Sequence, residues 1–157
     1  MSWDFNADEV FEMAEQIERN GVAFYKRAAE GIDDADSRKM LLELADMEVD
    51  HEKTFAGIRA GLTDQDKQGV TFDPNQETAL YLKALADTRV FFEKEIDVTS
   101  MKEILKAAIQ AEKDSIVFYL GMKEAVPEDL GKNKLDAIIK EEMGHISLLA
   151  GKLSKLK

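Results

Sequence analysis

The chain contains no cysteine. Disulfides, zinc ribbons, iron–sulfur ligation and rubredoxin-type iron are therefore excluded, and any iron held here must be held by carboxylate and imidazole. Histidine is scarce, with two residues, and so is proline, also with two. No apolar run approaches the ~18 residues that a membrane-crossing helix needs. The opening residues, Met1-Ser2-Trp3-Asp4-Phe5, show no basic region followed by an apolar stretch, so a cytoplasmic location is expected. Positive charge is in deficit as well, 21 Lys and Arg against 32 Asp and Glu, for a net charge of -11. That balance argues against a nucleic-acid backbone or an anionic membrane as partner and concentrates cations near the surface.

What is present is a chain of 157 residues, 45% hydrophobic and 34% charged, which is the size and composition of a single helical domain covering 1–157. Both histidines stand in one pattern. Glu48-Val49-Asp50-His51 returns as Glu142-Met143-Gly144-His145, an offset of 94 residues from Glu48 to Glu142. Residues three apart on a helix share a face, so each motif offers a carboxylate and an imidazole to a common point. The same offset relates Glu18 to Glu112, Ala14 to Ala108, Phe24-Tyr25 to Phe118-Tyr119, Leu41 to Leu135 and Ala56-Gly57 to Ala150-Gly151. Two helical hairpins read as copies of one another.

Heptad seams place these copies on four helices. The first is expected from Asn6, an N-cap with Glu9 as its capping-box partner, to about Gly31, with Phe11, Ala14, Glu18, Gly21 and Tyr25 inward. The second runs from about Ser37 to Gly61 with Leu44, Glu48, His51 and Phe55 inward. The third runs from about Thr99 to Val126, stopped by Pro127, with Ala108, Glu112, Ser115 and Tyr119 inward. The fourth, from about Lys132 to Leu156, turns Ile138, Glu142, His145 and Leu149 inward. Residues 62–98 form a long crossover with a helix from Glu77 to about Glu93 that carries Leu80, Leu82, Leu85, Val90 and Phe91. A connection of that length lets the second and third helices run parallel, so the expected fold is all-α, a ferritin-like four-helix bundle.

Four carboxylates gathered in such a core cannot all stay ionised without counter-charge, because removing even one charge from water costs several kcal/mol. Two divalent cations cancel four negative charges. One Glu from each of two helices plus Glu-x-x-His from each of the others is the di-iron or di-manganese carboxylate pattern. In it Glu48 and Glu142 bridge two ions, Glu18 and Glu112 are terminal ligands, and His51 and His145 bind one ion each. Oxygen and imidazole donors favour iron or manganese and leave zinc open.

With these residues the chain resembles the rubrerythrin branch of the ferritin-like superfamily over nearly its whole length. The resemblance rests on Glu18 followed by Phe24-Tyr25, on Glu48-Val49-Asp50-His51, on Glu112 followed by Phe118-Tyr119, and on Glu141-Glu142-Met143-Gly144-His145. It implies a di-iron oxidoreductase that reacts with hydrogen peroxide or dioxygen in oxidative-stress defence, and a homodimer. Full rubrerythrins add a cysteine-ligated rubredoxin domain, which this chain lacks, so electrons must come from an external donor such as rubredoxin. Ser115 stands where rubrerythrins tend to have an extra acid, and the remaining symmetric ligand set also looks like that of bacterioferritin.

Two other functions fit the same residues: a ferroxidase that binds or stores Fe(II), and a non-catalytic helical interaction module. Tyr25 and Tyr119 read first as core aromatics, yet at one heptad from Glu18 and Glu112 they are also within reach of hydrogen-bonding those acids. Gly21 and Ser115, in equivalent seam positions, either ease helix packing or leave room for peroxide. Met40, Met47, Met122 and Met143 read as core filler. Glu15, Asp50, Asp114 and Glu141 read as solvent-facing or outer-shell acids. The crossover is expected to contribute to the homodimer interface.

Overall fold

A computed structural model of the chain describes residues 7–64, 80–82, 84, 96–126 and 129–156. It is all-helical among these residues, with α1 over Ala7–Glu30, α2 over Ala35–Ala60, α3 over Met101–Ala125 and α4 over Lys132–Lys155. Each helix carries one inward stripe, and the seam residues fill it. Phe11, Ala14 and Tyr25 of α1, Leu41, Leu44 and Phe55 of α2, Leu105, Ala108, Tyr119 and Met122 of α3, and Leu135, Ile138 and Leu149 of α4 are all buried. Full burial of side chains of this size contributes ~1.5–3 kcal/mol each. That apolar gain offsets the cost of the acids placed among them.

The caps explain where the helices start. The Asp34 carboxylate accepts from the backbone N–H of Ser37 at 2.9 Å and from its hydroxyl at 2.6 Å. α2 consequently begins at Ala35, ahead of the expected Ser37, because an aspartate in extended backbone relieves the first orphan donors. Arg38 then reaches back to donate to the Ala29 and Ile32 carbonyls, at 3.2 and 2.7 Å, which closes the end of α1. Ser100 caps α3 by accepting from the Glu103 N–H at 3.3 Å. α4 starts behind Gly131, whose φ of 93° favours glycine and whose missing Cβ would lie 2.8 Å from Ile58 Cδ1.

Helix directions follow from two hydrogen bonds. Tyr25 of α1 donates to Glu112 of α3, and Tyr119 of α3 donates to Glu18 of α1. The rising residue numbers of one helix thus meet the falling numbers of the other, and α1 runs antiparallel to α3. α1 and α2 form a tight hairpin and are antiparallel too, so α2 and α3 point the same way. That parallel relation requires the long crossover. Part of the crossover is helical at 80–82 and 84. Leu82 is buried, and the Tyr81 hydroxyl donates to the Val117 carbonyl of α3 at 3.1 Å. A Cβ on Gly121 would come within 2.3 Å of the Tyr81 ring, so glycine is what lets this aromatic lie across α3. Leu85, Val90 and Phe91 lie outside the described residues, as do Asn6 and Pro127.

Two expectations about side chains are corrected. Met47 and Met143 are not core filler; they are 37% and 52% exposed. Each adjoins a seam acid, and the ~100° step of a helix turns a neighbour out of the seam. Met122 does fill the core, and Met40 packs at its edge. Glu15 does not face water either. It is 6% exposed and pairs at 3.0 Å with Arg59, which also pairs with Asp8 at 2.9 Å.

Candidate metal centre

Glu18, Glu48, Glu112 and Glu142 are completely buried, and His51 and His145 are 3% exposed. The bundle brings all six to one level, as two overlapping quartets. Glu18, Glu48, His51 and Glu142 can each aim one ligand atom so that all lie within 4.8 Å of one another, and so can Glu48, Glu112, Glu142 and His145. Glu48 and Glu142 belong to both. His51 Nδ1 lies 2.8 Å from Glu142 Oε1, 3.5 Å from Glu18 Oε2 and 3.9 Å from Glu48 Oε2. His145 Nδ1 lies 3.4 Å from Glu48 Oε1, 3.4 Å from Glu112 Oε1 and 3.7 Å from Glu142 Oε2. The two imidazole rings stack with centroids 5.9 Å apart.

Buried polar atoms normally find hydrogen-bond partners. Here both oxygens of Glu48 and Glu142, one oxygen each of Glu18 and Glu112, Nδ1 of His51 and both ring nitrogens of His145 have none. The short approaches among them are not aligned as hydrogen bonds. Orphaned acceptors converging from four helices fit a pair of cations, and the donor set, carboxylate and imidazole, suits hard or borderline divalent metals. The other two terminal oxygens are occupied. Tyr25 donates to Glu112 Oε1 at 2.6 Å, and Tyr119 donates to Glu18 Oε1. Each tyrosine thus leaves its acid one free oxygen and holds it in a fixed rotamer.

The electrostatics of the metal-free cluster follow from burial and crowding. Burial, then the neighbouring Glu48, pushes the Glu18 carboxyl well above its ordinary range. Burial alone would raise Glu48 too, but the close approach of Glu18, His145 and His51, with the positive charge of the imidazolium rings, outweighs it and holds Glu48 at about 2. Burial would lower both imidazoles. The acids outweigh it, with Glu142 and Glu18 foremost in raising His51 and Glu142 and Glu48 in raising His145 to about 9. Protons on the histidines and on Glu18 thus play the part that cations play when metal is bound, and metal uptake must expel them.

A sequence profile of the rubrerythrin family matches residues 9–153. The chain belongs to the rubrerythrin family. Its fold is similar to that of a protein from Thermotoga maritima assigned as ferritin-like and diiron-carboxylate, with TM-score 0.72, 22% identity and 98% of each chain covered. A comparison with curated proteins gives no match. Among the described residues no helix is long and apolar enough to cross a membrane.

Around this rubrerythrin-type cluster several expectations gain a definite place. Gly21 packs against Glu48, since a Cβ there would stand 3.4 Å from Glu48 Cγ and Oε2, so this position serves close packing. The Ser115 hydroxyl donates to the Ala111 carbonyl of its own helix at 3.0 Å. Asp114 accepts from Gln110 at 2.9 Å, away from the cluster. Phe55 lies beside both Phe11 and Tyr119, with ring centroids 6.3 and 5.3 Å away, and so packs aromatic surface against the tyrosine that holds Glu18. Glu141, expected to face solvent or to act as an outer-shell acid, takes the second place: its Oε2 meets His51 Nε2 at 2.5 Å. A groove of about 490 Å³ between α2 and α4 exposes this contact, lined by Met47, Asp50, Lys53 and Lys134 among others. The residue number of Glu141, next to Glu142, signalled proximity; its reach to the other helix pair had no signal in the sequence.

Proposed function

We propose that this chain is a cytoplasmic di-iron oxidoreductase that reduces hydrogen peroxide or dioxygen and draws its electrons from an external carrier such as rubredoxin. The observation that carries this reading is the pair of quartets sharing Glu48 and Glu142, with nine buried donor atoms left without hydrogen-bond partners. When bound, two ferrous ions supply the two electrons that break an O–O bond. Peroxide reduction also consumes two protons and yields two waters.

The residues of the chain provide the rest. Glu48 and Glu142, which belong to both quartets, would hold both ions, Glu18 with His51 would complete one position, and Glu112 with His145 would complete the other. Tyr25 and Tyr119 keep the terminal carboxylates in place across the helix pairs. Phe55 packs apolar surface against Tyr119, the residue that donates to Glu18, and the α2–α4 groove gives small molecules a way to His51. No cysteine is present to relay electrons within the chain.

A second reading, handling of Fe(II) by oxidation and retention, fits the same cluster, because its carboxylate and imidazole donors suit Fe(II) whether or not electrons turn over. One experiment separates the two. Chain reconstituted without oxygen to two Fe(II) is given reduced rubredoxin and repeated aliquots of peroxide, with iron content and mass in solution followed by elemental analysis and light scattering. Repeated peroxide consumption by a dimer at constant iron supports the oxidoreductase. Iron accumulating well beyond two per chain in a large shell overturns it in favour of storage.

A further inference from the structure

One of the departures from the internal repeat touches a histidine of the cluster. The residue before each motif glutamate is Glu141 in α4 but Met47 in α2. Glu141 crosses to α2, where its carboxylate sits 2.5 Å from His51 Nε2, and Nδ1 of the same ring faces Glu142, Glu18 and Glu48. An acceptor on Nε2 fixes the tautomer with its proton outward and its Nδ1 lone pair inward, fixes the ring plane, and makes the ring more basic towards a metal. Among the described residues His145 has no such support. Its Nε2 is buried without a hydrogen-bond partner, and the residue that the repeat sets opposite it offers only a thioether. The α2–α4 groove also reaches His51 and is not lined by His145.

We propose that Glu141 is a positioning residue that makes the two metal positions unequal, so that the His51 position takes a divalent cation first and holds it more tightly than the His145 position. This rests on the dinuclear reading above. Loss of an outer partner of a metal-binding histidine costs about 10–100-fold in metal affinity, and the same factor is expected between the two positions.

The test is anaerobic calorimetric titration of the metal-free chain with Mn(II), with circular dichroism to show that each variant is folded. His145→Ala keeps the His51 position and His51→Ala keeps the His145 position. Wild type should bind two ions, and His145→Ala should bind its ion about 10–100-fold more tightly than His51→Ala. Adding Glu141→Met to His145→Ala should remove that advantage, while Glu141→Gln, which keeps an acceptor oxygen, should retain part of it. Adding Met47→Glu to His51→Ala should tighten the weak position by a comparable factor. Equal affinities in the two histidine variants, or an advantage that survives Glu141→Met, overturn the proposal and leave the dinuclear reading standing. Failure of wild type to bind two ions overturns both.

Discussion

Metal-free and metal-loaded protein should respond to pH in opposite senses, and His145 gives the size of the effect. Its folded pKa is raised to about 9 from an ordinary value near 6.5, because Glu142 and Glu48 outweigh the effect of burial. A group whose pKa rises on folding stabilises the fold fully below its unfolded pKa, and that contribution is lost as pH climbs through the folded value. For His145 the window is therefore pH 6.5 to 9, and the contribution lost is roughly 3 kcal/mol. The ring is 3% exposed, so screening by solvent removes little of it. Glu18 acts with the same sign, since its raised pKa favours the protonated fold and loses stability as pH rises above 4.5. Glu48, held at about 2, loses its contribution only as pH falls from 4.5 through 2, outside this window. Metal binding needs deprotonated donors, so affinity increases over the same range in which the metal-free fold weakens. For a domain of this size ~3 kcal/mol corresponds to roughly 6–12 °C in Tm. Thermal melts followed by circular dichroism at pH 6 and pH 9, with chelator and with Mn(II), should show the metal-free curve falling by about that much and the gap to the metal-loaded curve widening. His51, whose pKa is raised further still, loses stability across the same window, and the general charge of the chain also disfavours high pH, so His145→Gln is the control and should remove a part of the metal-free slope while leaving the share of His51. A metal-free Tm that holds or rises from pH 6.5 to 9, or a variant as pH-sensitive as wild type, refutes the reasoning.

Tyr119→Phe and Tyr25→Phe each remove a buried donor from a ligand acid, and each should cost about 1.5–3 kcal/mol in chelator by urea denaturation; the double variant, which leaves both terminal acids unoriented, should also bind Mn(II) more weakly than either single one. Gly131→Ala should cost ~1–2 kcal/mol by the same measurement, because its φ of 93° and the Ile58 contact both oppose a Cβ, with Mn(II) binding unchanged since Gly131 lies outside the cluster. Leu80→Glu tests the proposed homodimer through the crossover: Leu80 is 51% exposed, and light scattering should shift from dimer to monomer if this face joins two chains, whereas an unchanged dimer excludes that face from the interface.

The helices and the six clustered residues could be read in the sequence because two periodicities coincide there. The heptad seam says which residues face inward, and the 94-residue offset between Glu48 and Glu142 says that two hairpins carry the same inward set. Polar residues at seam positions then stand out, since Glu18, Glu48, Glu112 and Glu142 occupy places that otherwise hold leucine, alanine or phenylalanine. Periodicity fixes a face but not a partner. It could not show that Arg59 reaches Asp8 and Glu15, or that Glu141 reaches His51, because those contacts depend on how far apart two helices pack. Residue type misled where it was used without position: Met47 and Met143 are apolar, but each lies one helical step outside the seam and is exposed.

The same comparison separates what symmetry requires from what this chain adds. A repeat alone yields two equivalent halves, and the shared acids Glu48 and Glu142 make those halves one centre. Such a centre opposes its own fold when metal-free, because nine of its buried polar atoms are left without hydrogen-bond partners. Protons relieve part of that conflict and cations relieve more, so folding and metal uptake are coupled through the same atoms. Positions next to the ligands are free of this constraint, and there the two halves have diverged to Glu141 and Met47. An acid at the first place supports one imidazole from outside the cluster without adding a fifth buried carboxylate, since the Glu141 side chain remains 51% exposed. Asymmetry between the metal positions is therefore available at little cost to the bundle, through residues that the ligand pattern itself does not dictate.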